Sequence, residues 1–85
     1  MPKVHELITK KTWKRGKAEK GACCVGQWIE NVYQSNADRI IAIVKIAGRV
    51  HPKVEGYYMG AVIGWNDAPE RTFEEVLAIL KELDI

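Results

Sequence analysis

The sequence has no uninterrupted apolar run approaching the ~18 residues that a membrane-crossing helix needs, so no membrane partner is expected. Its first residues, Met1-Pro2-Lys3-Val4-His5, lack the apolar stretch and small-residue cleavage site of a secretory signal, and a soluble, cytoplasmic protein is expected. Cysteine is confined to one adjacent pair, Cys23 and Cys24. Neighbouring cysteines cannot close a disulfide on each other without distorting the peptide between them, so no disulfide framework is implied, which fits a reducing compartment. The chain also has no internal repeat, no low-complexity tract and no Cys-x-x-Cys spacing.

What is present is small and unevenly charged. Eighty-five residues allow one domain, residues 1–85, and a domain of that size buries only about 60 to 65% of its unfolded surface. Losses of about 2 kcal/mol therefore matter to it. The net charge is +2, yet residues 1–20 hold seven basic against two acidic side chains, whereas residues 66–85 hold two basic against six acidic. Opposite poles of this kind steer a charged partner or neutralise each other within the fold.

Apolar spacing predicts an all-α fold of four to five short helices packed at steep, near-orthogonal angles. Pro2 followed by Val4, Leu7 and Ile8 predicts a helix over roughly 2–11. A basic, glycine-bracketed loop follows at about 14–21. Val25, Trp28, Ile29, Val32 and Tyr33 form the stripe of a second helix over about 22–34. Gly26 interrupts it, at a cost of roughly 0.5 to 1 kcal/mol, and so predicts a close approach by another backbone. Ser35-Asn36-Ala37-Asp38 caps a third helix whose inward face is read as Ala37, Ile40, Ile41, Val44 and Ala47, widened by Ile43, Ile46 and Val50. The β-branched density over 40–46 leaves a strand open there, although length favours a helix. Glu55 to Trp65 reads as a fourth apolar element, interrupted by Gly60 and Gly64, with Tyr57, Tyr58 and Trp65 read as core and an interface stripe as the alternative. Thr72 and Glu75 spell a capping box for a last helix, Thr72 to Leu83, which is expected to dock across the second and third.

Several of these residues together, Leu7-Ile8 with Trp13 and Gly16, Cys23-Cys24 with Gly26, and Trp65-Asn66-Asp67-Ala68-Pro69 with Arg71-Thr72 and Glu75-Val76-Leu77-Ala78, carry a resemblance. The chain resembles a small helical family of unknown function found in actinobacteria and their phages. The resemblance spans most of the chain and implies a helical fold and a phage or mobile-element origin, in the cytoplasm of a bacterial host. It implies no reaction. The lysine-rich loop and the isoleucine-rich third segment depart from the family pattern.

Three functional readings follow. The first is a non-enzymatic protein that binds an acidic host protein as an inhibitor or adaptor, through Lys10, Lys11, Lys14, Arg15, Lys17 and Lys20, with no cofactor. The second is a cysteine-dependent enzyme or redox protein. A thiol at a helix start has a depressed pKa, and the order Cys23 or Cys24, His51, then Asn66 or Asp67 matches the order of parts in papain-like enzymes. Against it stands the use of free cysteine as a small apolar filler. Zinc on Cys23, Cys24, His5 and His51 is disfavoured, because adjacent ligands point to different sides of a helix. The third reading is a weak nucleic-acid binder, with the basic loop on phosphates and Trp13 stacked on a base. Trp13, Gly26, Trp65, Asn66, Asp67, Thr72 and Glu75 are read as structural, Asn66 and Asp67 as turn residues, with a buried Asp67 bonded to Trp13 or to the amides of the second helix as a possible clasp.

Overall fold

In the computed structural model, which describes residues 2–85 and leaves Met1 outside, five helices follow one another. They are α1 (Val4–Leu7), α2 (Val25–Val32), α3 (Asn36–Val50), α4 (Tyr58–Asp67) and α5 (Phe73–Leu83). Extended pairing among the described residues is limited to two isolated bridges, Trp13 with Cys23 and Glu19 with Ala22. The fold is all-α, and the isoleucine-rich segment is helical.

Local chemistry sets the helix starts. The Ser35 hydroxyl accepts from the Asp38 amide at 3.1 Å, and the Thr72 hydroxyl accepts from the Glu75 amide at 3.2 Å while the Glu75 carboxylate accepts from the Thr72 amide. The helix ends are held from outside. Arg39, in the first turn of α3, donates to the carbonyls of Tyr33 (2.6 Å) and Glu30 (3.0 Å), which the end of α2 leaves without helical donors. Arg71 does the same at the end of α4, donating to the Trp65 carbonyl at 2.9 Å with its guanidinium 4.8 Å from the Trp65 ring centre.

Two helices are shorter than their spacing predicts. α1 stops at Leu7 because Thr9 to Thr12 form a turn of their own, in which the Thr12 hydroxyl accepts from the Thr9 amide at 2.9 Å. α2 begins at Val25, because Cys23 pairs its backbone with the chain ahead of it: its amide donates to the Thr12 carbonyl (3.0 Å) and its carbonyl accepts from the Lys14 amide (3.1 Å). The basic loop doubles back between these two segments. Glu19 and Ala22 exchange amide–carbonyl bonds of 3.0 and 2.9 Å around Lys20 and Gly21, both at positive φ as in a type I′ turn.

α3 is the central helix and packs against α2, α4 and α5 with only part of the face read from its sequence: Ala47, Ile43 and Ile46 point inward as expected, but Ala37, Ile40, Ile41 and Val44 do not. Ala42, Ile43, Ile46 and Ala47 are buried, whereas Ile40 is 62% exposed, Ile41 53% and Val44 39%. The helix is turned by about a third of a turn from the expected orientation. Its core face meets Val25 and Ile29 of α2, Val62 of α4, and Val76 and Leu80 of α5 in one cluster that also takes in Val4, Ile8 and Ile85. α5 docks on α1 and α3 rather than across α2 and α3. The two ends of the chain meet there: the Ile85 carbonyl accepts from the Val4 amide (2.7 Å) and the Tyr33 hydroxyl (2.6 Å), and the Lys3 ammonium pairs with the Asp84 carboxylate. Gly26 marks a close approach, made by a side chain rather than a backbone. A Cβ at that position would lie 3.0 Å from the Met59 sulfur of α4.

Candidate functional site

The thiol reading depended on a cysteine at a helix start. Cys24 holds that position, as the half-buried cap of α2, while Cys23 lies before the helix, buried. Burial, with a smaller contribution from neighbouring Cys24, pushes the Cys23 thiol up from its ordinary value, opposite to the depression an activated nucleophile needs. His51 is exposed at the end of α3, and His5 faces Asp84 at 3.6 Å. Among the described residues no thiol is hydrogen-bonded to an imidazole, and no three His, Cys, Asp or Glu side chains converge as a metal-holding group. The structure does not bring Cys23, Cys24, His51 and Asp67 together as a hydrogen-bonded set.

The basic set divides in two. Lys14 pairs with Glu19 at 2.8 Å, and Arg15 donates to the carbonyls of Pro69 and, at 3.4 Å, Ala68, so both charges tie the loop to itself and to the α4–α5 turn. Lys10, Lys11, Lys17 and Lys20 are exposed and pair with no acid among the described residues.

Behind this loop lies a clasp built on Asn66, not on Asp67 as expected. Asn66 is fully buried at the end of α4. Its Oδ1 accepts from Trp13 Nε1 (2.6 Å) and from the Val25 amide (3.0 Å), and its Nδ2 donates to the Lys14 carbonyl (3.2 Å) and to Asp67 Oδ1 (2.9 Å). All four hydrogen-bonding positions of the amide are used. Asp67 stands one step outward, where its Oδ1 also accepts from the Gly16 amide at 2.9 Å. The one side chain therefore fixes the start of α2, the end of α4 and the root of the basic loop. Trp13 is held against this clasp with its ring 6.3 Å from that of Phe73, leaving it half-buried.

A second face lies between α3 and the start of α4, where an open groove of about 420 Å³ is lined by Ile40, Ile43 and Val44, by Tyr57, Tyr58 and Met59, and at its rim by Glu30, Asn36 and Arg39. Tyr57 was assigned to the core, yet it is 87% exposed. It caps α4 in the left-handed region (φ 46°), a conformation that costs a non-glycine residue about 1 to 2 kcal/mol. Its ring lies over Gly60, where a Cβ would run into it. Glycine at that position, three residues after Tyr57, is the one local trace of this arrangement in the sequence, read there only as an interruption of the helix.

Neither the curated proteins nor the solved structures contain a significant match to this chain. The model of a family of unknown function, DUF6197, matches residues 2–83, and the chain belongs to that family.

Proposed function

We propose that this chain is a non-enzymatic protein-binding domain that engages a host protein, in the phage or mobile-element setting that the resemblance implies. The observation that carries the reading is Tyr57, an aromatic side chain displayed to solvent at the mouth of an apolar groove, in a backbone conformation that has to be held in place. Strained, exposed aromatics are poor material for stability and good material for interfaces, where tyrosine supplies contact area at low entropic cost. The groove takes an apolar side chain of the partner between Ile40, Tyr58 and Met59, with the Glu30 carboxylate at the rim for polar contacts. The basic loop has a smaller part than its composition indicates, because Lys14 and Arg15 are occupied within the fold.

The test compares variants in co-purification from a host lysate followed by direct titration of the captured protein. Tyr57→Asn removes the ring while keeping a residue type that tolerates positive φ, and is expected to weaken binding at least tenfold with the melting temperature little changed. Joint replacement of Lys10, Lys11, Lys17 and Lys20 by glutamine is expected to alter chiefly the salt dependence. Capture lost with the lysines and indifferent to Tyr57 would reject the groove. Salt-sensitive binding to DNA or RNA at low ionic strength would favour the nucleic-acid reading instead.

A further inference from the structure

We infer that the outer face of α3 pairs with the same face of a second copy, antiparallel, about a two-fold axis. α3 is apolar on two opposite sides. Ala42, Ile43, Ile46 and Ala47 face the core, while Ala37, Ile41, Val44 and Gly48 recur at steps of four, three and four along the solvent side. That alternation is the seam of a coiled coil, and a surface helix of an isolated small domain has no use for it. Ile41 is 53% exposed and nothing lies within 4 Å of a Cβ placed at Gly48, so the ridge is uncovered along its length.

The charges beside the seam choose the occupant. Asp38 and Lys45 lie on one flank, seven residues apart. In an antiparallel pair centred between Ala42 and Ile43, Ala37 meets Gly48 of the other copy, and Val44 enters between the Ile40 and Ile41 side chains opposite. Small residues at both ends of the seam permit close helix approach. In that register Asp38 of each copy comes beside Lys45 of the other, twice by symmetry, so the surface is complementary to itself in charge as well as in shape. A parallel pairing would place neither charge against its opposite. This inference goes beyond the groove reading and does not depend on Tyr57; because Ile40 and Val44 line both the groove and the seam, a second copy seated here competes with a partner in the groove.

Sedimentation velocity on the full chain over a range of concentrations, with circular dichroism to confirm folding, tests it. The wild-type chain is expected to dimerise and Ile41→Asp to be monomeric at the same concentrations. Asp38→Lys and Lys45→Asp, each alone, place like charges together and are expected to weaken dimerisation roughly tenfold. Their equimolar mixture restores both opposite-charge contacts in a heterodimer, and dimerisation is expected to return. A wild-type chain that stays monomeric into the millimolar range overturns the inference, as does a dimer that Ile41→Asp leaves intact. A mixture that associates no better than its two components also overturns it.

Discussion

Asn66 concentrates more of the fold's constraints than any other single side chain described above. Replacing it with alanine strands the Trp13 indole N–H and the Val25 amide in a buried site and removes the donor to the Lys14 carbonyl. Each stranded buried group costs about 1 to 3 kcal/mol, so Asn66→Ala is expected to lose roughly 3 to 5 kcal/mol in urea denaturation, a large part of the total stability of a small domain. Asn66→Asp keeps the acceptor but sets a second carboxylate against Asp67, and is expected to be comparably harmful at neutral pH. An Asn66→Ala protein with near wild-type stability would show that water replaces the amide. The thiols give a second check at this scale. Buried Cys23 is expected to react with a thiol reagent more slowly than Cys24, as read by mass spectrometry at pH 7.5. Thr72 and Glu75 were legible in the sequence because their bonds close within three residues. Asn66 was not, because its partners Trp13, Lys14 and Val25 lie more than forty residues away, and a short polar residue near a proline reads first as part of a turn.

Helices show the same division between near and far. Apolar spacing located α1, α2, α3 and α5, with α5 exact at its cap because the capping box is local, while the two glycines left the fourth element, expected at 55–65 and found at Tyr58–Asp67, the least defined. The orientation of α3 was legible only in part, through Ile43, Ile46 and Ala47, because a helix apolar on both sides has no preferred inward face until its neighbours are known. The late start of α2 arises from the pairing of Cys23 with Thr12 and Lys14, again a contact between separate segments, whereas the early end of α1 comes from the local Thr9–Thr12 turn. Gly26 yields a prediction about how α2 and α4 are spaced. Gly26→Val drives side-chain atoms into the Met59 sulfur and is expected to cost about 1 to 3 kcal/mol by overpacking, beyond the change in helix propensity. Met59→Ala in the same chain opens that space, so the double variant should be more stable than the sum of the two single losses. Strict additivity in a double-mutant cycle would mean that the two residues are not in contact.

On the scale of the whole molecule, the basic N-terminal and acidic C-terminal segments do not form separate poles. α1 packs on α5, Lys3 and His5 both face Asp84, and Arg15 reaches the turn before α5. This arrangement sets the pH dependence. The Lys3 hydrogen bond and charge, followed by the His5 contact, hold the Asp84 carboxyl below its usual range; the Thr72 amide and then Arg71 do the same for Glu75, and Lys14 for Glu19. A carboxyl with a depressed folded-state pKa binds its proton less readily folded than unfolded, so its stabilising contribution is complete above the unfolded pKa, near 4, and is lost as pH falls through the folded value. The melting temperature is therefore expected to be flat from pH 7 to about 5 and to fall below about 4. Asp84 also closes α5 in the left-handed region at φ 56°, which asparagine tolerates, so Asp84→Asn tests the charge with the backbone preserved. That variant should start lower at pH 7 and fall less steeply into acid, with the gap to wild type narrowing both at low pH and in 1 M salt, since the pair is exposed and screened. Parallel acid limbs for the two proteins would place the linkage between the chain ends in the Val4–Ile85 and Tyr33–Ile85 hydrogen bonds alone, with the ion pair contributing nothing to it.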